Sequence, residues 1–213
     1  MMGAALAGGA GALALPGLTG DAFAAVKEAQ VAYPSHPKWR FVFVNHVTTN
    51  PFFVPTRYGA EDAGTMTKTT YQWTGSETAK TPEMINAMNA AISGKADGIA
   101  VCVVDPKAFD APTEKALKAG IPVVAYNADG SKANTRLAYI GQDLYNSGLA
   151  MGARIATLVP KGARIALFIA TPGQSNIQPR IDGAQAALKG KGYKIDVITT
   201  GADVPGELSK IDA

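Results

Sequence analysis

From residue 39 onward, short apolar runs alternate with amphipathic stretches, and this alternation constrains the fold more than any other feature of the chain. Runs rich in β-branched and aromatic residues, bounded by polar or Gly/Pro clusters, predict strands at 39–45, 67–73, 98–104, 121–126, 136–140, 164–169 and 194–199. Apolar residues spaced three and four apart predict helices over about 53–65, 81–93, 109–118, 144–158 and 177–189, with another starting near 205. In the second of these, Met84, Ile85, Met88 and Ile92 share one face, and Gly94 stands where a C-cap is expected. A βαβα rhythm predicts an α/β fold with doubly wound parallel sheets and right-handed crossovers. Four units and a short fifth strand complete a first lobe over 39–140. The pattern then restarts, and 141–213 holds two units and the beginning of a third. A sheet stopping there would expose a long apolar edge. The chain is therefore expected to be a fragment, or a truncated reading frame, of a two-lobed protein.

The loop after the first strand is the richest in chemistry. The run Arg40-Phe-Val-Phe-Val turns polar at Asn45, His46, Thr48, Thr49 and Asn50, and is followed by Pro51, Phe52 and Phe53. In an open α/β sheet, ligands bind at the carboxyl ends of strands. A loop that cradles phosphate needs glycines so that backbone amides can approach it, and this loop has none. Side-chain amides, hydroxyls and flat rings suit a neutral polyhydroxylated ligand better, because hydroxyls pair with the amides and C–H faces lie against the rings.

The first 24 residues are expected to lie outside the fold. Met1 to Leu15 is apolar and Ala/Gly-rich, shorter than the roughly 20 residues of a membrane span, and Ala22-Phe-Ala24 is an A-x-A cleavage site. That is a secretory signal peptide whose basic start is missing, since the first Lys or Arg is Lys27. The true start is expected upstream of Met1, and 25–38 is read as an N-terminal extension. Export would place the protein in the periplasm or another extracytoplasmic space. The single cysteine, Cys102, lies in the run Ile99-Ala-Val-Cys-Val-Val104 and is expected to be a small buried hydrophobe. A net charge of +3, with no basic clusters interleaved with aromatics, argues against a nucleic-acid partner. No H-E-x-x-H, G-x-S-x-G, P-loop or metal-spaced His/Cys cluster is present. Neither an enzyme nor a cofactor or metal is expected.

Three motifs keep their order and spacing: Asn50-Pro-Phe-Phe53, Ala96-Asp-Gly-Ile-Ala100 and Ala119-Gly-Ile-Pro-Val-Val124. Together they resemble the periplasmic sugar-binding proteins of ABC importers, of the ribose-binding type. The resemblance runs from about Trp39 to the C-terminus. It implies two lobes that close on a sugar in the cleft between them, and a closed form that docks as a monomer on a membrane permease. It assigns Asn50, Phe52 and Phe53 to the first-lobe wall of the cleft, with Phe53 equally readable as a cap on the core. His46 is either a cleft group or a hydrogen-bonded core histidine. Trp73 either stacks on the ligand or packs beneath the helix over 81–93. Where ribose-type proteins carry an adjacent Asp-Arg pair, this chain has Asn127-Ala128. In the second lobe, Gln178 stands in place of a sugar-binding Arg, Arg180 matches a second family Arg, and Asn176 falls at an expected helix N-cap. Losing two arginines disfavours ribose and points to another monosaccharide or a polyol. Two alternatives share the fold. One is a periplasmic ligand-binding partner of a chemoreceptor or sensor kinase. The other is the sensory domain of a lac-repressor-type regulator, which would need a helix-turn-helix where the apolar leader stands.

Overall fold

The structure, a computed structural model, describes residues 33–213. The expected signal peptide and the first part of the expected extension lie outside the described residues. The five strands β1 (Arg40–Asn45), β2 (Thr70–Gly75), β3 (Gly98–Val101), β4 (Val123–Tyr126) and β5 (Ala138–Ile140) form one parallel sheet in the order β2-β1-β3-β4-β5. The chain leaves β1 to one side to form β2, then crosses back to form β3 on the other side. Between β1 and β3 the winding reverses, and a crevice opens at the carboxyl ends of the strands. His46 follows β1, and Cys102 follows β3 at that reversal; the Cys102 N–H donates to the Val44 carbonyl at 3.0 Å.

Helices α1 (Val54–Thr67), α2 (Thr81–Ser93) and α3 (Asp110–Lys118) connect these strands. The expected apolar stripe of α2 supplies Met84, Met88 and Ile92 to the core, beside Val42, Val44, Val101 and Phe109. Gly94 does cap α2, but in a right-handed conformation; the left-handed residue is Lys95, whose N–H returns to Ile92. By contrast α1 has no buried residue.

A second, two-stranded parallel sheet pairs β6 (Arg164–Ile169) with β7 (Lys194–Thr199). Helices α4 (Leu144–Leu158) and α5 (Gln178–Leu188) accompany it, and α6 (Val204–Ile211) follows. Along β6 the buried residues alternate with exposed ones, so Ile165, Leu167 and Ile169 face α5 and form a separate small core with Ile181, Ala184 and Leu188. Glycines let α4 and α5 touch backbone to backbone. A Cβ at Gly148 would run into the Arg180 carbonyl oxygen, and one at Gly183 into that of Tyr145. The architecture is thus two-lobed α/β with parallel sheets, and the loop following β6 reaches from the second lobe onto the strand ends of the first.

Candidate ligand-binding site

The site begins with Asn45, which is wholly buried at the end of β1. Its amide donates to the Tyr126 hydroxyl at 2.9 Å, and its carbonyl oxygen accepts from the Val47 N–H at 2.8 Å. This fixes where the chain turns off the sheet. Asn50 then accepts from the Phe52 N–H at 2.9 Å, capping a single 3-10 turn over Pro51–Phe53. The turn separates its two rings. Phe53 points inward, 3% exposed, and meets His46 and Tyr126 edge-on; Phe52 stands 69% exposed at the rim. Burial satisfies the reading of Phe53 as a core cap, yet its ring also forms part of a cavity wall.

That cavity, about 370 Å³, opens between the two lobes. From the first lobe it is lined by His46, Asn50, Phe52, Phe53 and Asn127. The second lobe contributes Asn176 and Arg180, together with Thr171, Thr200 and Glu207. The volume lies within the range that holds a small organic ligand. The loop after β6 spans the gap: the Ser175 N–H donates to the Val104 carbonyl at 2.9 Å, and its hydroxyl donates to the Val103 carbonyl. The Gln174 amide donates to the Ala79 carbonyl at 3.0 Å. Arg180 is steadied by the Gln142 amide oxygen, which accepts from its Nη2 at 2.9 Å.

His46 is 6% exposed, and burial lowers its pKa from 6.5 to about 4, so the ring is neutral near pH 7. Its Nδ1 lies 3.2 Å from the Cys102 Sγ, and its Nε2 lies 2.9 Å from the Asn176 Nδ2. The Cys102 thiol donates in turn to the Asn127 Oδ1 at 3.2 Å, and burial pushes that thiol far above its ordinary range. Asn127 takes a left-handed backbone conformation, φ 62°, which asparagine tolerates better than most residues. Two buried polar atoms in the cavity wall have no partner: the Asn176 Oδ1 and the Arg180 Nε. Such atoms are costly unless a ligand or water completes them.

Three residues take positions that the sequence left open or placed elsewhere, Trp73 following its packing alternative. Trp73 does not line the cavity; it stacks on Phe43 at 6.0 Å, and its indole N–H donates to the Thr48 carbonyl at 3.0 Å. Gln178 is turned away as well, accepting from the Gly173 N–H and donating to the Asp182 carboxylate. Asn176 is not a cap: α5 starts at Gln178 with Ile177 before it, which leaves the Asn176 amide for His46. Thr171, Thr200 and Glu207 are cavity residues without a motif in the sequence, although Thr171 lies two residues beyond β6 and Thr200 one beyond β7, at the carboxyl ends where the strand-end rule points. Among the described residues, no group of three or more His, Cys, Asp or Glu side chains is placed to hold a metal ion.

Residues 41–212 match the periplasmic binding protein domain. The chain belongs to the periplasmic binding protein family. The xylose/arabinose-binding protein XylF of Sulfolobus acidocaldarius is 58% identical over 189 residues, 84% of this chain and 47% of that protein. The chain thus spans about half the length of the curated relative it matches. Among solved structures, an ABC transporter solute-binding protein from Burkholderia graminis, in complex with D-arabinose, superposes with a TM-score of 0.76 at 24% identity, covering 84% of this chain and 62% of that one. A XylFII chain solved in complex with LytSN superposes at 0.73 with 26% identity, covering 78% and 61%. No described helix is long and apolar enough to cross a membrane.

Proposed function

We propose that this chain is the ligand-capturing part of an ABC-importer substrate-binding protein, and that it takes a monosaccharide or polyol, a pentose first of all, into the cavity between its lobes. The observation that carries this reading is the interlobe wall itself, where side-chain amides, one arginine and two phenylalanine rings converge and two buried polar atoms await partners. Rings supply contact area, and the amides and guanidinium give direction. Ligand meets one lobe first, and closure is favoured only by the extra contacts it makes with the other. The closed form then delivers the sugar to a membrane permease outside the cytoplasm, acting as a monomer. The pentose preference draws on the relative described as binding xylose and arabinose. The chemistry is binding and not catalysis: the carboxylates of Asp105 and Asp129, at the ends of the first-lobe strands, are occupied elsewhere, Asp105 in capping its own turn and Asp129 in an ion pair with Arg136.

The test is calorimetric titration of the full chain with D-xylose, L-arabinose, D-ribose, D-glucose and xylitol, beside Phe52→Ala. Phe52 is exposed, so its removal changes stability by no more than about 0.5 kcal/mol. We expect a pentose to bind best, and Phe52→Ala to weaken it about tenfold with an unchanged melt. Absence of binding to every sugar by a cooperatively folded chain would overturn the reading. A second reading, a ligand-sensing partner of a membrane receptor, is favoured by the likeness to a chain solved in complex with another protein. It shares the cavity chemistry and differs only in what the closed form meets.

A further inference from the structure

Four side chains form one hydrogen-bonded line that begins and ends in the cavity wall and passes beneath it through buried Cys102, from Asn176 through His46 and Cys102 to Asn127. It joins an amide of the second lobe to an amide of the first. The polarity of such a line is all-or-none, because a neutral imidazole has one donor nitrogen and one acceptor nitrogen. Here Asn176 turns its Nδ2 toward the His46 Nε2, so Nε2 accepts. The ring hydrogen is then on Nδ1 and points at the Cys102 sulfur. The thiol hydrogen is left to donate to the Asn127 Oδ1. Each member satisfies the next, and reversing one would require reversing all four.

The two ends of the line lie in the cavity wall with their remaining atoms uncommitted. Asn176 keeps its Oδ1, buried and without a partner. Asn127 keeps its Nδ2, since its Oδ1 is engaged by the thiol. We propose that His46 and Cys102 are positioning residues that set the amide orientation of Asn127 and Asn176, so that the cavity presents an acceptor from the second lobe and a donor from the first. This rests on the sugar-binding reading and narrows it. The ligand must place a hydroxyl that donates to Asn176 and an oxygen that accepts from Asn127, which a sugar hydroxyl pair does. An acceptor-only group such as a carboxylate or phosphate against Asn176 is rejected.

The groups around the imidazole leave its charge state to burial. The Phe53 ring meets it edge-on, the Cys102 thiol and Asn176 amide occupy its nitrogens, and its backbone carbonyl accepts from the Ala79 N–H. The charged residues elsewhere in the cavity wall are Arg180 and Glu207. A protonated ring would donate from both nitrogens, so the Asn176 amide would have to turn over. The acceptor offered to the ligand would then become a donor.

The test reads the ring directly, without ligand. Long-range ¹H–¹⁵N correlation at pH 7 on the full chain, with His36→Gln to assign the two histidines, is expected to show the His46 hydrogen on Nδ1. Cys102→Ser keeps a donor and an acceptor at that point and is expected to preserve this tautomer. Cys102→Ala removes both and is expected to release it. In the binding arm, D-xylose affinity is expected to fall about tenfold in Cys102→Ala and to stay within about threefold of wild type in Cys102→Ser. A residue that only fills space would give the opposite order, with the apolar Ala better tolerated than Ser. A hydrogen on Nε2 in the wild type, or equal affinity in both variants, overturns the proposal. If the wild type binds no sugar at all, the sugar reading fails, and the ring signal still decides whether the relay exists.

Discussion

At the scale of single residues, burial decides which groups are available for chemistry and which are held in one state. His46 is the clearest case, its pKa lowered from 6.5 to about 4 because the charged ring would lose its water. The unfolded chain binds this proton more readily than the folded one between those values, so folding stability is full above about pH 6.5 and is lost as pH falls toward 4. The shift corresponds to roughly 3 kcal/mol. We expect the urea midpoint of the wild type to drop between pH 7 and pH 4 by clearly more than that of His46→Gln, measured on the same full chain; equal drops would remove His46 as the cause. Sequence alone left His46 balanced between cleft and core, and the fold resolves the choice by giving it both: a buried ring whose nitrogens serve an amide in the cavity wall. For Trp73, the period-two alternation of a strand does not say which face meets the ligand, and the indole turned out to pair with the Thr48 carbonyl.

At the scale of elements, the contact between α4 and α5 determines where Arg180 stands. Its carbonyl lies against Gly148, while its guanidinium leans on Gln142 at the start of the same connection. Adding a methyl at Gly183 must push the helices apart, because the atoms it meets are backbone. Gly183→Ala is expected to destabilise the chain by about 1–3 kcal/mol. It should also weaken sugar binding through displacement of Arg180, checked by denaturation and calorimetry side by side. The elements themselves were largely legible: α2, α4, β6 and β7 run over the residues that periodicity predicted, because apolar spacing and end signals agree there. The start of α5 was harder to place. With Pro179 in its first turn, the helix starts at Gln178, one residue later than expected, and this separates Asn176 from the cap position. Strand order was not legible, since the same alternation is compatible with several windings.

At the scale of the molecule, the two lobes are tied across the cavity by the loop after β6, chiefly through Ser175, whose N–H and hydroxyl reach the Val104 and Val103 carbonyls. Under the proposed hinge closure, these contacts favour the closed arrangement whether or not a ligand is present, and apparent affinity scales with the closed fraction. Ser175→Ala is expected to weaken sugar binding by between about two- and tenfold, mostly through a faster off-rate, while the melt of the first lobe stays put. Stopped-flow release of a pentose would measure it. The presence of two parallel sheets was legible from the restart of the βα rhythm, whereas the cross-lobe hydrogen bonds were not, because they join backbone carbonyls to a loop some seventy residues away. One consequence concerns Cys102, the single cysteine of the sequence, wholly buried with a thiol that burial keeps protonated. A thiol-reactive dye finds nothing to attack on the folded chain. A cysteine introduced at exposed Ile211, in the cavity wall but with no part in the proposed ligand contacts, would take the dye alone. With the sugar binding proposed above, the fold comes ready to be turned into a reagentless optical sensor, in which the emission of one fluorophore follows the occupancy of the cavity beside it.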